Sequence, residues 1–310
     1  MSTTRISPDD PTFPPALLEM PLRGLAPCQE LYVRGAWPPM PGVAIVGTRK
    51  PTPEAERFTR TLAQAVVDAG WAVWSGGALG IDAAAHEAAI ERGGSTVVVC
   101  PSGLAELFPP AHRGLFASVV ANGGTLVSPF EDHVHPERFR FHRRNDVLAC
   151  LTIASVVVQA AVISGARSTA RAARRLGRPL FAVPHAPWDA IGLGCAVELA
   201  NGARPLLSAK HLVASLDEVA RAAGRATREH ACAPVPHASH APDPQAHASH
   251  ALSPQATRVL EAIGETSIHI DDLCDRTALP FATVTAALLT LTLQAVVVEA
   301  PAGFYRRPTI

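Results

Sequence analysis

The sequence predicts an α/β protein: a mainly parallel sheet covered by helices on both faces, followed by a small domain of three helices and a β-hairpin. Three observations carry that prediction. Short apolar runs recur between residues 43 and 183 with helical stretches between them, as strands joined by crossover helices do. Those runs, Val43–Val46, Trp71–Trp74, Thr96–Cys100, Thr125–Val127, Ser155–Gln159 and Pro179–Val183, are largely apolar rather than strictly alternating, which fits strands buried on both faces. The second leads into Trp74-Ser-Gly-Gly-Ala-Leu-Gly-Ile-Asp-Ala-Ala-Ala-His86, which reads as strand, glycine turn and helix start.

In chain order, residues 1–40 form a proline-rich leader expected to pack on the main domain, with Leu31-Tyr32-Val33 as a short strand. The main domain, 41–221, opens with the buried strand Val43–Val46, which ends in Gly47-Thr48-Arg49. Glu54–Ala69 follows as an amphipathic helix with Phe58, Leu62, Ala65, Val66 and Ala69 on one stripe. Further helices are expected at Asp82–Arg92, Arg113–Ala121 and Thr169–Gly177. In such sheets ligands lie outside the carboxyl ends of the strands, where Thr48, Arg49, Ser75 and Gly76 fall.

Residues 222–252 read as a flexible linker rich in alanine, proline and histidine, with the decamers HASHAPDPQA (237–246) and HASHALSPQA (247–256) in tandem across its end. Its histidines lack the apolar periodicity that would hold a coordination geometry, so no metal site is expected. Residues 253–310 resume a globular pattern. Ser253-Pro254 is an N-cap followed by proline at the first helical position. Helices at Ile270–Arg276 and Phe281–Gln294 and a hairpin over Ala295–Arg307 complete a winged-helix-like domain. The last of these helices has no lysine or arginine, and Ala251–Ile310 holds four basic against six acidic residues. Groove reading needs phosphate contacts, so a protein-contact role is expected there.

Composition bounds the function. With 310 residues and 48% hydrophobic content the chain can bury a substantial core, and no apolar run approaches the ~18 residues of a membrane span. No secretory signal pattern is present, and the six cysteines are widely spaced, so a reduced cytoplasmic protein is expected. Formal net charge is zero, yet charge is segregated. From Arg138 to Arg178 there are nine arginines against Asp146 alone, whereas Pro41–Glu137 holds six basic against ten acidic residues. That asymmetry points to a polyanion partner or to a solvated arginine-rich surface.

The glycine turn admits two readings from sequence: a phosphate site formed by backbone N–H groups at a helix N-terminus, or a tight turn whose glycines serve packing. A dinucleotide fingerprint is absent, because Ser75 occupies the first glycine's place and Cys100-Pro101 stands where a ribose-binding acid would be. No cofactor follows from the sequence. Asp82 and His86, spaced i, i+4, are either an acid/base pair or a helix cap and a packed histidine. Phe139 and Phe141 are either stacking platforms or core residues.

Several ordered motifs then resemble the DNA-processing protein A family, DprA or Smf, over about Pro11–Ala214. They are Val43-Ala-Ile-Val-Gly-Thr-Arg49, Ser75-Gly-Gly-Ala-Leu-Gly-Ile-Asp-Ala-Ala-Ala-His86, Pro101-Ser-Gly-Leu, Phe108-Pro-Pro, Phe141-His-Arg-Arg-Asn145, Ser164-Gly-Ala-Arg-Ser-Thr169 and Phe181-Ala-Val-Pro184. The resemblance implies an extended Rossmann-like domain that binds single-stranded DNA, commonly as a homodimer. It also implies protection of incoming DNA in natural transformation, help in loading a RecA-type recombinase, and a winged helix after a linker. It places DNA or phosphate contacts at Gly47, Thr48, Arg49, Ser75, Gly76, Gly77, Phe141, Arg143, Arg144, Asn145, Ser164, Gly165, Arg167 and Thr169, with no catalytic residue and no metal. The sequence departs from the family pattern at His142, Asp146, Arg175 and His185, with Arg167, Arg171 and Arg175 at i, i+4 spacing on one helix expected to restore charge beside Asp146. The competing class is a nucleotide-binding or phosphoribohydrolase-like Rossmann protein. Its Pro-Gly-Gly-x-Gly-Thr-x-x-Glu signature is replaced here by Ser164-Gly-Ala-Arg-Ser-Thr169 without a following glutamate.

Overall fold

The computed structural model describes residues 2–38, 41–232, 253–263, 268–277, 279, 281–293, 296–299 and 304–307. The chain divides into two units, Met1–Pro234 and Val235–Ile310. The first contains β1 (Thr4–Ile6), a 3-10 helix (Pro15–Arg23), β2 (Leu31–Gly35), β3 (Gly42–Val46), α1 (Pro53–Asp68), β4 (Ala72–Ser75), α2 (Ile81–Glu91), β5 (Thr96–Val99), α3 (Arg113–Ala121), β6 (Thr125–Ser128), α4 (Arg138–Leu151), β7 (Thr152–Val157), α5 (Ala166–Arg175), β8 (Leu180–Ala182), α6 (Leu193–Ala200), β9 (Arg204–Pro205) and α7 (Ala209–Cys232).

The strands form one sheet in the order β1-β2-β6-β5-β4-β3-β7-β8-β9. From β6 to β9 all neighbours are parallel, while β2 pairs antiparallel with β6 and β1 antiparallel with β2. The chain winds outward from β3 in one direction and from β7 in the other, so the topological switch point lies between those two strands. This is the expected Rossmann-like sheet, extended at one edge by the antiparallel pair.

Alternation along β3 shows why its sequence is apolar throughout. Val43 and Ile45 pack with Leu62 and Val66 of α1, Ile81 and Ala85 of α2, and Leu212 and Leu216 of α7. Ala44 and Val46 belong to the opposite layer, with Val147 and Leu148 of α4 and Ala170 and Ala173 of α5. Each fully buried Val or Leu of this kind contributes about 1.5–3 kcal/mol relative to exposure.

Helix α1 starts as its sequence dictates. Thr52 Oγ1 accepts the Ala55 N–H at 3.2 Å, Pro53 opens the first turn, and Glu54 and Glu56 lie at the positive end of the dipole. Its buried stripe is Ala55, Thr59, Leu62, Ala63 and Val66, rotated from the expected one, and Ala69 is exposed outside the helix.

Three further differences stand out. The leader supplies two strands of the sheet. Helices α4 and α6 are not among the helices located from the sequence pattern, and α7 continues to Cys232, past position 222 where the pattern places the start of the linker. Most of that linker, with all of the first decamer and the first six residues of the second, lies outside the described residues.

The second unit contains α8 (Pro254–Ala262), β10 (Ile268–His269), α9 (Ile270–Thr277), α10 (Phe281–Leu293), β11 (Val298–Glu299) and β12 (Phe304–Arg306). Ser253 caps α8 by accepting the Ala256 N–H at 3.1 Å. Strand β12 pairs antiparallel with both β10 and β11, so the hairpin gains a third strand ahead of α9. Val259, Ile263, Leu273, Val284, Leu288, Leu291 and Val297 make its core. This is a winged helix.

Candidate functional site

A crevice of about 480 Å³ opens at the carboxyl ends of β3 and β7, the switch point of the sheet. Of the residues singled out in the sequence, Gly47, Thr48, Arg49, Phe141, Arg144, Asn145, Ser164, Gly165 and Thr169 line it. They come from three separate stretches: the turn after β3, the helix α4, and the turn into α5. Lys50, Asp82, Ala161 and Ile163 also line it and are not among the expected contacts. The signal for Lys50 is its place directly after Arg49, on the same turn.

The turn after β3 is tightly held. The Thr48 N–H donates to the Gln159 carbonyl at 2.7 Å, and the Ile81 N–H donates to the Thr48 carbonyl at 3.2 Å. The Thr52 N–H donates to Gln159 Oε1 at 3.0 Å. At Gly47 a β-carbon would stand 2.6 Å from Ile81 Cγ1, so only glycine lets α2 approach this closely. Arg49 and Lys50 are exposed. The guanidinium carbon of Arg49 lies 5.9 Å from the centroid of Phe141, whose ring meets Phe108 edge-on at 5.6 Å. Phe108 and Phe141 join Leu79, Pro101 and Pro109 around a smaller, mostly apolar cavity of about 80 Å³ that shares Arg49 and Arg144 with the crevice.

The glycine turn after β4 resolves toward packing. Ser75 is fully buried and its hydroxyl donates to the Ile45 carbonyl at 2.6 Å. The Gly76 and Ala78 N–H groups donate to Asp82 Oδ2 at 3.1 and 3.3 Å. A β-carbon on Gly76 would collide with the Arg144 guanidinium, and one on Gly77 would come within 2.7 Å of Phe116 and Val98. The anion for this turn is therefore Asp82 itself. Ser75 and Gly77 do not line the crevice, and Gly76 lines only the smaller cavity.

Asp82 and Arg144 are both buried, 4% and 6% exposed, and both bind Gly76, Asp82 accepting its N–H and Arg144 donating to its carbonyl. Burial pushes the Asp82 carboxyl up, and Arg144 and the turn's N–H groups hold it down. Burial likewise lowers Arg144, and Asp82 opposes it. Asp82 and His86 are not an acid/base pair at the crevice: His86 is fully buried, does not line the crevice, and meets Thr96 Oγ1 at 2.7 Å through Nδ1. Because Thr96 donates its proton to the Val73 carbonyl at 2.9 Å, His86 Nδ1 is the donor in that contact.

Two expected phosphate ligands are engaged elsewhere. Arg143 donates to the Ala26 and Pro27 carbonyls of the leader, and it does not line the crevice. Arg167 pairs with Glu198 at 2.6 Å. Phe139 is 59% exposed beneath the Arg140 guanidinium at 5.0 Å, also outside the crevice lining. Of the departures, His185 contacts Asp189 at 2.8 Å and the Val158 carbonyl at 3.0 Å. Burial raises the Asp146 carboxyl against the pull of Arg143, Arg175, His142 and Arg171. Among the described residues no group of three or more His, Cys, Asp or Glu is arranged to hold a metal ion, and no described helix is long and apolar enough to cross a membrane.

Sequence comparison matches this arrangement to known proteins. The profile of DNA recombination-mediator protein A covers residues 4–217, and that of the DprA winged helix domain covers 242–303. The chain belongs to the DNA recombination-mediator protein A family. It is 38% identical over 220 residues to protein Smf of Synechocystis sp., covering 69% of this chain and 54% of that protein. It is 32% identical over 176 residues to the DNA processing protein DprA of Bacillus subtilis, covering 57% and 59%. The chain thus spans about half the length of the curated relatives it matches. The crystal structure of DprA from Streptococcus pneumoniae superposes with a TM-score of 0.62 at 28% identity, covering 68% of this chain and 73% of that one. DprA from Helicobacter pylori, whose structure is described for its single-stranded DNA binding mode, superposes at 0.61 with 27% identity, covering 70% and 96%.

Proposed function

We propose that this member of the DNA recombination-mediator protein A family binds single-stranded DNA in the crevice between β3 and β7, without catalysing a reaction on it. The observation that carries the reading is the pairing of two exposed cations, Arg49 and Lys50, with the Phe141 ring on one switch-point crevice. Arg49 offers a planar fork to phosphate oxygens, and Lys50 a point charge. Phe141 offers a face to a base, an interaction worth about 1–3 kcal/mol. The single-stranded DNA binding mode described for the Helicobacter pylori DprA supports the same ligand class. Asp82 accepts two N–H groups of the glycine turn through Oδ2, which supports a structural role for it over that of a catalytic acid. In the cell this reading makes the chain a cytoplasmic homodimer that protects incoming DNA and assists a RecA-type recombinase during transformation, with the winged helix contacting protein.

The test is titration of labelled oligo(dT) across salt. Arg49→Ala is expected to weaken binding and flatten the logarithmic salt slope by about 0.7, one phosphate's worth for a single strand. Unaltered slope in Arg49→Ala would remove the crevice as the phosphate site. A mononucleotide is the rival ligand, because a cavity of about 480 Å³ accommodates one. Calorimetry with mononucleotides against oligo(dT) separates the two, and release of free base from a nucleotide would mark an enzyme.

A further inference from the structure

We propose that Glu198 is a positioning residue for the crevice, and that Arg167 serves it by holding the 162–165 turn rather than a phosphate. This rests on the crevice being the nucleic-acid site. Glu198 lies on α6 with its side chain 1% exposed. Both of its carboxylate oxygens are taken by arginines of α5. Arg167 Nε donates to Oε1 at 2.6 Å, and Arg174 Nη1 donates to Oε2. The same Arg167 guanidinium donates through Nη1 to the Val162 carbonyl. Its planar fork thus ties a buried carboxylate to a main-chain carbonyl at the rim of the site.

Apolar packing does not set this turn. Val162 is 42% exposed and Ile163 is 98% exposed. The turn is held by polar contacts at each end. The Gly194 N–H of α6 donates to the Ala160 carbonyl at 2.7 Å, and a β-carbon at 194 would stand 2.5 Å from that same oxygen. Beyond the turn, Asn145 Nδ2 donates to the Gly165 carbonyl at 3.2 Å, and the Ala166 N–H donates to Ser164 Oγ at 3.3 Å. Between these anchors, Arg167 is what holds Val162. Ala161, Ile163, Ser164, Gly165 and Ala166 line the crevice across from Thr48, Arg49 and Lys50. Glu198 therefore sets the position of one wall, and it engages the guanidinium that the sequence offers at Arg167. Removing one member of such a buried pair leaves the other uncompensated.

The full chain carrying Glu198→Gln or Arg167→Lys decides this by two measurements. Amide hydrogen exchange is expected to rise in both variants across 160–166 while α1 and α2 keep the parent's rates. Binding of oligo(dT) is expected to weaken by about tenfold in both, as loss of a supporting contact does, with the parent's salt slope retained. Arg167→Lys keeps the Glu198–Arg174 pair, so it answers the question if Glu198→Gln does not fold. Parent-like exchange across 160–166 in the folded variants overturns the proposal. So does an Arg167→Lys variant with parent affinity beside an Arg167→Ala variant whose slope falls by about 0.7, because that pair of results marks a direct phosphate contact. The exchange measurement needs no DNA. A parent chain that failed to bind oligo(dT) would overturn the single-strand reading, and the exchange data alone would then decide whether Glu198 holds the turn.

Discussion

A guanidinium carries five N–H donors, and in Arg144 they turn inward: Nε to Asn145 Oδ1 at 2.7 Å, and Nη1 to the carbonyls of Gly76 and of Val99, the latter at 2.7 Å. Together with Asp82 it closes the glycine turn from behind. Arg144→Lys replaces the fork by a single ammonium that cannot serve the same acceptors, so we expect a loss of about 1–3 kcal/mol, read as a lower urea midpoint. An unchanged midpoint would return Arg144 to the pool of available phosphate ligands. His86 supplies a pH signature. Burial, with the neighbouring charges of His112 and Arg144, lowers its pKa to about 3. An unfolded histidine binds a proton near pH ~6.5. Between those values the unfolded chain holds the extra proton, so this contribution to stability is intact above the window and falls as pH drops, by about 1.4 kcal/mol per unit. Asp82, whose carboxyl is raised, works in the opposite sense, since its cost is relieved by acid. The comparison is therefore with His86→Gln: from about pH 7 to 5 the parent's midpoint should fall more steeply than the variant's. Parallel curves would show that His86 already carries its proton in the folded state.

Elements differ in how openly their sequences declare them. The central strands are legible because burial on both faces leaves runs such as Val43–Val46, and α1 because Thr52-Pro53 and an apolar stripe mark it. Helix α4 is not, since Arg144 and Asn145 are buried in it to serve the site and so interrupt the apolar stripe that would reveal a helix. Site residues are legible in the same uneven way. The motifs lead to the crevice, but which arginine faces it depends on partners far away in sequence, such as Pro27 for Arg143 and Glu198 for Arg167. In the winged helix Arg307 has such a role. Its Nε and Nη2 donate to the Ile263 and Leu260 carbonyls at 3.1 and 2.9 Å, at the carboxyl end of α8. Arg307→Ala should cost the second unit about 1.5–3 kcal/mol, seen as faster amide exchange in α8 with the first unit unaffected. Protection kept in α8 would free Arg307 for a partner's phosphate or carboxylate.

At the scale of the whole molecule the arginine-rich stretch 138–178 suggests a broad cationic surface, and the structure narrows it. Arg143 is engaged by carbonyls of the leader, Arg144 is buried, Arg140 pairs with Glu137 at 2.8 Å, and Arg167 and Arg174 share Glu198. Arg138, Arg171, Arg175 and Arg178 lie outside the crevice lining. The exposed cations at the crevice are Arg49 and Lys50, on a chain whose formal net charge is zero. Long-range steering by such a molecule is weak, and on the proposed reading counterion release on binding is set by these two side chains. The logarithmic salt dependence for a short oligo(dT) should then be shallow, about −1.4, against about −6 if all nine arginines of the stretch met phosphates. Titrations at four or five salt concentrations distinguish these values. A slope near the steeper one would mean that the strand tracks across α4 and α5 rather than along the crevice, and that the ion pairs there open on binding.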